Sequence, residues 1–461
     1  MAGKRTRRCA RVALICSLAL GAGDVVAHAA KPRSTIVREL DKLYAQGAID
    51  PDTYATDRAI HADVKRTIKT LTGARRAELA GVLATVEAIA ARGSLRAGRL
   101  YPLFMTLQRN RDWWASQPLL TGGQRVTFEG SELVWQHVPG QGLQFHPLAN
   151  FGLLNAYAKT KRRRSENTLL LDELMAMAVS RGGGLAWEYY FTFDGGRPPW
   201  VSSLAQGTAL QAIARSAEKL DRMRELLPRI QEGLELFEQA PPTGVRVASG
   251  PGAYYAQYSF WPDLRILNGF VQSLVGLYDV AQITGDPRAA ELFAAGDRVA
   301  RAEVPKFDTG AWSLYSRDAI TRESDLHYHT LLRDFLTSLC DRTGEPVYCT
   351  AESHFTGYLT TPPEIALGTR RVRGGKPATL RFSLSKISRA TVQVLAPNGR
   401  IVLSVAAGIV GRGARTLAWK VPRKPGDYTL RVDATDLAGN AASVAGYVEV
   451  LKPKRRKRGA K

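Results

Sequence analysis

Apolar residues recur at three- and four-residue spacing along most of the chain as far as residue 345, the period of helices that bury one face. Between residues 34 and 116 this predicts helices in STIVRELDKLYAQGAI, RRAELAGVLATVEAIAARG and LYPLFMTLQRNRDWWAS, with Ser34 as an N-cap. From Gln124 to Phe145 the period drops to two in RVTFEG, ELVWQHV and LQFHP, broken by Gly and Pro, which predicts small strands or a hairpin. Helical pairs then resume. NFGLLNAYAKT goes with NTLLLDELMAMAVSRGGG, SSLAQGTALQAIARSAEKL with RMRELLPRIQEGLELFEQ, and RILNGFVQSLVGLYDVAQITG with RAAELFAAGDRVARAEV; HTLLRDFLTSLCDRTG closes the series. The alternating AWEYYFTFD and the aromatic AYYAQYSFW fall between pairs. Paired helices with short excursions predict a mainly α unit, an (α/α) toroid of helical hairpins whose excursions gather at one mouth.

The texture changes at TTPPEIALGTRRVRGGKP, a Pro/Gly/Arg linker over 361–377. Beyond it TLRFSLS, ATVQVLAP, IVLSVAAG, RTLAWKV, DYTLRVDA and SVAGYVEVL alternate with period two, joined by turns such as Pro397-Asn398-Gly399. This spacing predicts an immunoglobulin-like β-sandwich over 378–451, with a spacer or accessory role. The expected organisation is a leader at 1–30, a helical region at 31–123, the toroid at 124–360, the linker, the sandwich, and a basic tail at 452–461.

Charge and cysteines narrow the setting. The 461 residues carry 64 Lys and Arg against 42 Asp and Glu, a net +22, partly concentrated in MAGKRTRR and KPKRRKRGAK. The first cluster precedes the apolar run VALICSLALGAG and the small residues Ala27 and Ala29, the order of an export signal. That run is too short to span a bilayer, and no later segment is apolar enough. The expected location is therefore secreted or at the cell envelope. There a basic surface favours an acidic polysaccharide or cell-wall glycan over nucleic acid, for which no binding signature is present. Cys9 and Cys16 fall in the signal; Cys340 and Cys349 remain, spaced to close one disulfide. His137 and His146 flank the Gly-rich hairpin, but two ligands do not make a metal site.

Candidate chemistry concentrates in DTGAWSLYSRDAITRESDLHYHTLL, Asp308 to Leu332, a polar, Tyr- and His-rich run between helical segments that reads as a pocket lining. It forms part of a larger resemblance. PPWVSSLAQGTALQAIAR (198–215), RILNGFVQSLVGLYDV (265–280), and DTGAWSLYSRD with LHYHTLLRDFL (308–318, 326–336) resemble, in order and spacing, motifs of the C-terminal domain of D-glucuronyl C5-epimerases over roughly 185–345. That family inverts C5 of glucuronate within a glycan, as in heparan precursors, without a redox cofactor. The resemblance implies a toroid, no cofactor, and proton handling by Tyr315 and Tyr328, with Tyr258 assisting. Two departures stand out: Gln257 where the family has an acidic residue, and Ser316-Arg317-Asp318 after Tyr315. Both imply an altered carboxylate clamp.

Taking a proton from C5 builds charge beside a carboxylate that is already negative, so donors must hold that group. Arg197, Arg265 and Arg317 are candidates, each with an ordinary ion pair as its bland alternative. A phenol titrating near 10 also needs help to act as a base, for which His327, His329 and Arg317 are near in sequence. Tyr254 and Tyr255 read equally as a sugar platform or as core, His329 as readily as a cap or core residue as a proton carrier, and Asn268 and Gln206 as loop-holding amides. The same site could serve a lyase. A hydrolase would need paired carboxyls from among Glu188, Asp194, Asp263, Glu323 and Asp325. A non-catalytic glycan-binding role is the reading from another class.

Overall fold

A computed structural model describes residues 34–453. The leader and most of the basic tail lie outside the described residues. Helices α1 (Thr35–Ala45), α2 (Pro51–Thr70), α3 (Gly73–Ala91) and α4 (Ala97–Ser116) form a first unit. Ser34 and Asp50 cap α1 and α2 by accepting backbone N–H groups of Val37 and Thr53. Apolar positions at helical spacing, among them Ile36, Leu40, Val64, Leu79, Val86, Leu103 and Trp114, close over one core that also takes in Tyr190.

The predicted hairpin region forms a three-stranded antiparallel sheet of Arg125–Val126, Trp135–Val138 and Gly142–Phe145. Four helical hairpins follow: α5 (Pro147–Lys159) with α6 (Arg164–Ala176), α7 (Ser203–Leu220) with α8 (Met223–Leu234), α9 (Leu267–Thr284) with α10 (Pro287–Glu303), and α11 (Leu326–Thr343) with α12 (Pro346–Tyr358). The first helix of each pair faces inward, and neighbouring inner helices pack in the order α5, α7, α9, α11. Helices α7 and α9 are buried almost all round and carry the small residues that permit close approach. An added Cβ at Gly276 would lie 2.3 Å from the Gly207 carbonyl oxygen. The inner helices run parallel, so their N-terminal ends, capped at His146, Ser202, Ile266 and Asp325, open on one side. The short strands gather on that side, as the excursions between helical pairs predict.

The far ends are tied by ions. Asp279 of α9 accepts from Arg215 of α7 at 2.5 Å, from Arg342 of α11 at 2.7 Å and from Gln211 of α7 at 2.7 Å. The Arg215 guanidinium also donates to Asn155 of α5 at 2.8 Å. Cys340 and Cys349 are joined, linking α11 to α12 with Cα atoms 4.9 Å apart.

Residues 365–451 form two facing sheets with a common core that includes Leu380, Phe382, Val392, Trp419, Leu430 and Val448. One sheet has Pro377–Leu384 between Ile365–Leu367 and Gly413–Lys420. The other runs in the order Arg371–Arg373, Ala441–Leu451, Gly426–Asp436, Ser388–Leu395, Ile401–Val410. Two of these strands, Ile365–Leu367 and Arg371–Arg373, lie inside the stretch read from composition as linker. Lys386, fully buried, holds the sheets to the helical unit: its ammonium donates to the Tyr358 carbonyl at 2.7 Å and pairs with Asp436 at 3.0 Å. Among the described residues no helix is long and apolar enough to cross a membrane.

Candidate functional site

The strand Leu314–Asp318 pairs antiparallel with Leu264–Ile266, the lead-in to α9, so Ile266 sits opposite Ser316. Side chains alternate along it: Leu314 and Ser316 point into the core, leaving Tyr315 half-buried on the other face. Tyr328 lies in the first turn of α11, where its N–H donates to the capping Asp325 carboxylate at 2.8 Å. Tyr258 is fixed by its neighbour Ser259, whose N–H donates to the Val201 carbonyl at 3.0 Å and whose hydroxyl accepts from the Val201 N–H at 3.1 Å. These three segments bring the phenols together. The rings of Tyr315 and Tyr328 lie 4.6 Å apart, centroid to centroid, and the Tyr315 and Tyr258 hydroxyls are near enough to influence each other.

Gln257 completes the cluster. Its Nε2 donates to the Tyr258 hydroxyl at 3.0 Å and its amide also reaches Tyr315, while Oε1 is buried with no partner. The amide lies against Gly269 at the start of α9, where an added Cβ would fall 2.1 Å from Oε1. Burial raises the Tyr258 phenol above its ordinary value, and the neighbouring Tyr315 hydroxyl and the Gln257 amide pull it back. Burial and the adjoining Tyr258 raise the Tyr315 phenol as well.

Beneath the phenols lies an aromatic box. Tyr189 stacks on Trp200 at 4.1 Å, Tyr258 stacks on Phe260 at 5.3 Å, and the exposed Phe193 stands 5.5 Å from Tyr258. A cleft of about 910 Å³ lies along the inner helices, bordered by α5 on one side and α11 on the other, and adjoins the aromatic box at His146, whose ring stands 5.3 Å from Tyr189. His146, Leu148, Leu204, Leu331 and Phe335 line its upper part, with Lys159, Arg215 and Arg342 at its lower end. Tyr328 lies three residues before Leu331 on the same face of α11, which places it at the upper rim. Tyr189, Phe193, Trp200 and His146 went unread as site residues. The aromatic alternation AWEYYFTFD was a signal for the first two, but the antiparallel bridges Tyr189–Trp200 and Phe193–Gly196 are what fold them over beside Tyr258.

Other residues read from the sequence lie elsewhere. The Arg317 guanidinium stacks over Phe307 and faces Glu303 at 4.0 Å. Arg265 lies over Tyr254 and pairs with Asp318 at 3.3 Å, and Arg197 is exposed on the turn after Asp194. Burial, the neighbouring phenols and the Gln257 amide are the main influences on the Tyr258 and Tyr315 phenols. Tyr255 is fully buried and donates to the Leu292 carbonyl at 2.6 Å, a core position; Tyr254 likewise bonds to the backbone of Ile266. His329 is sealed against Trp312, accepts at Nδ1 from Ser313 and donates from Nε2 to the Phe355 carbonyl at 2.9 Å. Burial holds its pKa down at about 4. Asn268 is buried at the head of α9 with Oδ1 unpartnered, and Gln206 bonds to backbone carbonyls. Among the carboxyls weighed for hydrolysis, Glu188 is buried and held by Arg99 at 2.7 Å and by Arg181, Asp325 caps α11, and Glu323 pairs with Arg412 at 2.7 Å. No cluster of three metal-ligating side chains occurs among the described residues.

Comparison with known proteins bears on the segment that carries these residues. D-glucuronyl C5-epimerase of Caenorhabditis elegans is 30% identical over 131 residues, 26% of this chain and 21% of that protein. An uncharacterized protein of Methanocaldococcus jannaschii is 25% identical over 171 residues, 36% of this chain and 54% of its own length. The alignments thus span between a fifth and about half of these relatives. Among solved structures, cellobiose 2-epimerase from Bacillus thermoamylovorans aligns over 62% of this chain and 74% of its own at TM-score 0.38 and 11% identity. A D-mannose isomerase aligns over 61% and 73% at TM-score 0.35 and 10% identity. Residues 182–357, which contain Gln257, Tyr258, Tyr315 and Tyr328, match the family model described as the D-glucuronyl C5-epimerase C-terminus.

Proposed function

We propose that this chain is a hexuronate C5-epimerase acting on an acidic polysaccharide outside the cytoplasm, with Tyr258, Tyr315 and Tyr328 handling the proton. The observation that carries this reading is the cluster of Tyr258, Tyr315 and Tyr328 beside the Gln257 amide, all within the matched segment, next to an aromatic box that adjoins a cleft of about 910 Å³. The C5–H bond breaks toward the Tyr258 phenolate, the electron pair spreads into the uronate carboxylate, and a phenol returns a proton to C5. No electrons leave the substrate. The parallel N-terminal ends of four inner helices place positive dipole ends on this side of the helical unit, which favours the added negative charge. Tyr315 touches both other phenols and is the common member of the relay. The Phe193 and Tyr258 rings offer the apolar face on which a pyranose ring stacks.

The test is hydrogen exchange at C5 in deuterated water, run separately on a glucuronate polymer and on its C5 epimer. Tyr315→Phe is expected to abolish exchange from both. Tyr258→Phe and Tyr328→Phe are expected to impair the two substrates unequally, because each phenol serves one face of the sugar. Absence of deuterium at C5 with every acidic glycan tried, from folded protein, overturns the proposal. An unsaturated uronate product would replace epimerisation by elimination.

A further inference from the structure

Inversion also requires a group to hold the carboxylate as it gains charge. Of the three arginines read from the sequence, Arg265 pairs with Asp318 and Arg317 faces Glu303, while Arg197 is exposed. His146, the N-cap of α5, lines the cavity, and its ring meets Tyr189, which stacks on Trp200 beside Tyr258. The Nδ1 atom of His146 accepts the Ala149 N–H at 3.3 Å, so in the neutral ring the proton resides on Nε2. Among the described residues Nε2 has no hydrogen-bond partner. The ring is wedged at 5.3 Å against Tyr189 and at 6.4 Å against Phe191, which fixes its direction. Sequence alone left this residue as half of an incomplete metal pair.

We propose that His146 is a catalytic residue of this site, presenting Nε2–H from α5 as a neutral hydrogen-bond donor to the carboxylate of the hexuronate undergoing inversion. This rests on the epimerase reading above and adds the missing electrophile to it. A neutral donor suits this role because it strengthens its bond as the carboxylate becomes enediolate-like and gives up no proton, so Tyr258 remains the base. Burial, reinforced by the positive charge of Arg125, keeps the imidazolium from forming until about pH 4, so the ring is neutral wherever a phenol can act as a base.

Two measurements test this. His146→Asn keeps an N-cap oxygen for the Ala149 N–H but withdraws the donor from the cleft. The expected result is an unchanged unfolding midpoint with kcat for C5 exchange lowered about 100-fold or more, in keeping with loss of one such donor. A variant that exchanges at the wild-type rate overturns the proposal. The second reads the imidazole nitrogens by 15N NMR in the intact chain. The Nε2–H tautomer is expected, and its resonance should move when an oligosaccharide of alternating glucuronate and N-acetylglucosamine is added. An Nδ1–H tautomer, or no response to saturating oligosaccharide, overturns it. If the wild-type protein shows no exchange on any uronate, the epimerase reading falls. The NMR response then decides by itself whether His146 is a carboxylate donor.

Discussion

Residue by residue, the site turns on which group donates to the phenols. Gln257 donates Nε2–H to Tyr258, and that bond favours the ionised phenol; a carboxylate in its place would have to accept. Gln257→Glu is therefore expected to raise Tyr258 and Tyr315 further. The rate of C5 exchange at neutral pH should fall by about tenfold or more, since each unit of pKa is worth about 1.4 kcal/mol. In the native protein the sign is equally definite. Because burial holds the Tyr258 phenol above its ordinary value, the base form is scarce at neutral pH, and the exchange rate should climb through pH 10 without levelling off. A pH–rate profile of the two proteins checks both statements.

At the scale of elements, the cleft exists because the inner helices are held close at one end and open at the other. Asp279 balances two guanidiniums, Arg215 and Arg342, from the helices on either side. Asp279→Ala leaves both cations in a largely buried place without their partner and is expected to cost about 3 kcal/mol in chemical denaturation. Closer to the mouth, α7 and α9 touch through glycines. Gly276→Ala would drive a methyl group into the Gly207 carbonyl, and overpacking of this kind costs about 1–3 kcal/mol. Because the helices must part to relieve it, this variant should also lower C5 exchange more than its loss of stability explains, which parallel activity and unfolding measurements would show.

For the whole molecule, the β-sandwich is more tightly joined to the helical unit than a spacer needs to be. Lys386 is enclosed by the Tyr358 carbonyl, Asp436 and the Trp312 face, and Asn440 donates to the Leu359 carbonyl at 2.9 Å. Arg412, on the turn between two sandwich strands, reaches Glu323 on the strand paired with that of Tyr315. Removal of one partner from a buried pair costs about 3–5 kcal/mol. Lys386→Ala is thus expected to lower overall stability by that order and to split one calorimetric transition into two, sandwich first. A single unshifted transition would show that the two units do not depend on this junction.

Local order was legible in the sequence wherever a period could be counted. The helical pairs, the hairpin region and the alternating C-terminal strands follow from spacing that buries one face, and the motif order singled out the stretches bearing Tyr258, Tyr315 and Tyr328. Partnership was not legible. Arg317 and Tyr315 are two residues apart on one strand, yet the guanidinium turns to Glu303 and Phe307 while the phenol joins Tyr258. Tyr255 and Tyr258 share an aromatic run, but Tyr255 is sealed in the core while Tyr258 meets Gln257 and Trp200. His146, more than a hundred residues from the tyrosines, lines the cavity because α5 borders the same opening as α11. Period and composition are properties of neighbours along the chain and report which face is buried. Which donor meets which acceptor depends on contacts between distant segments, and packing of the inner helices alone settles that.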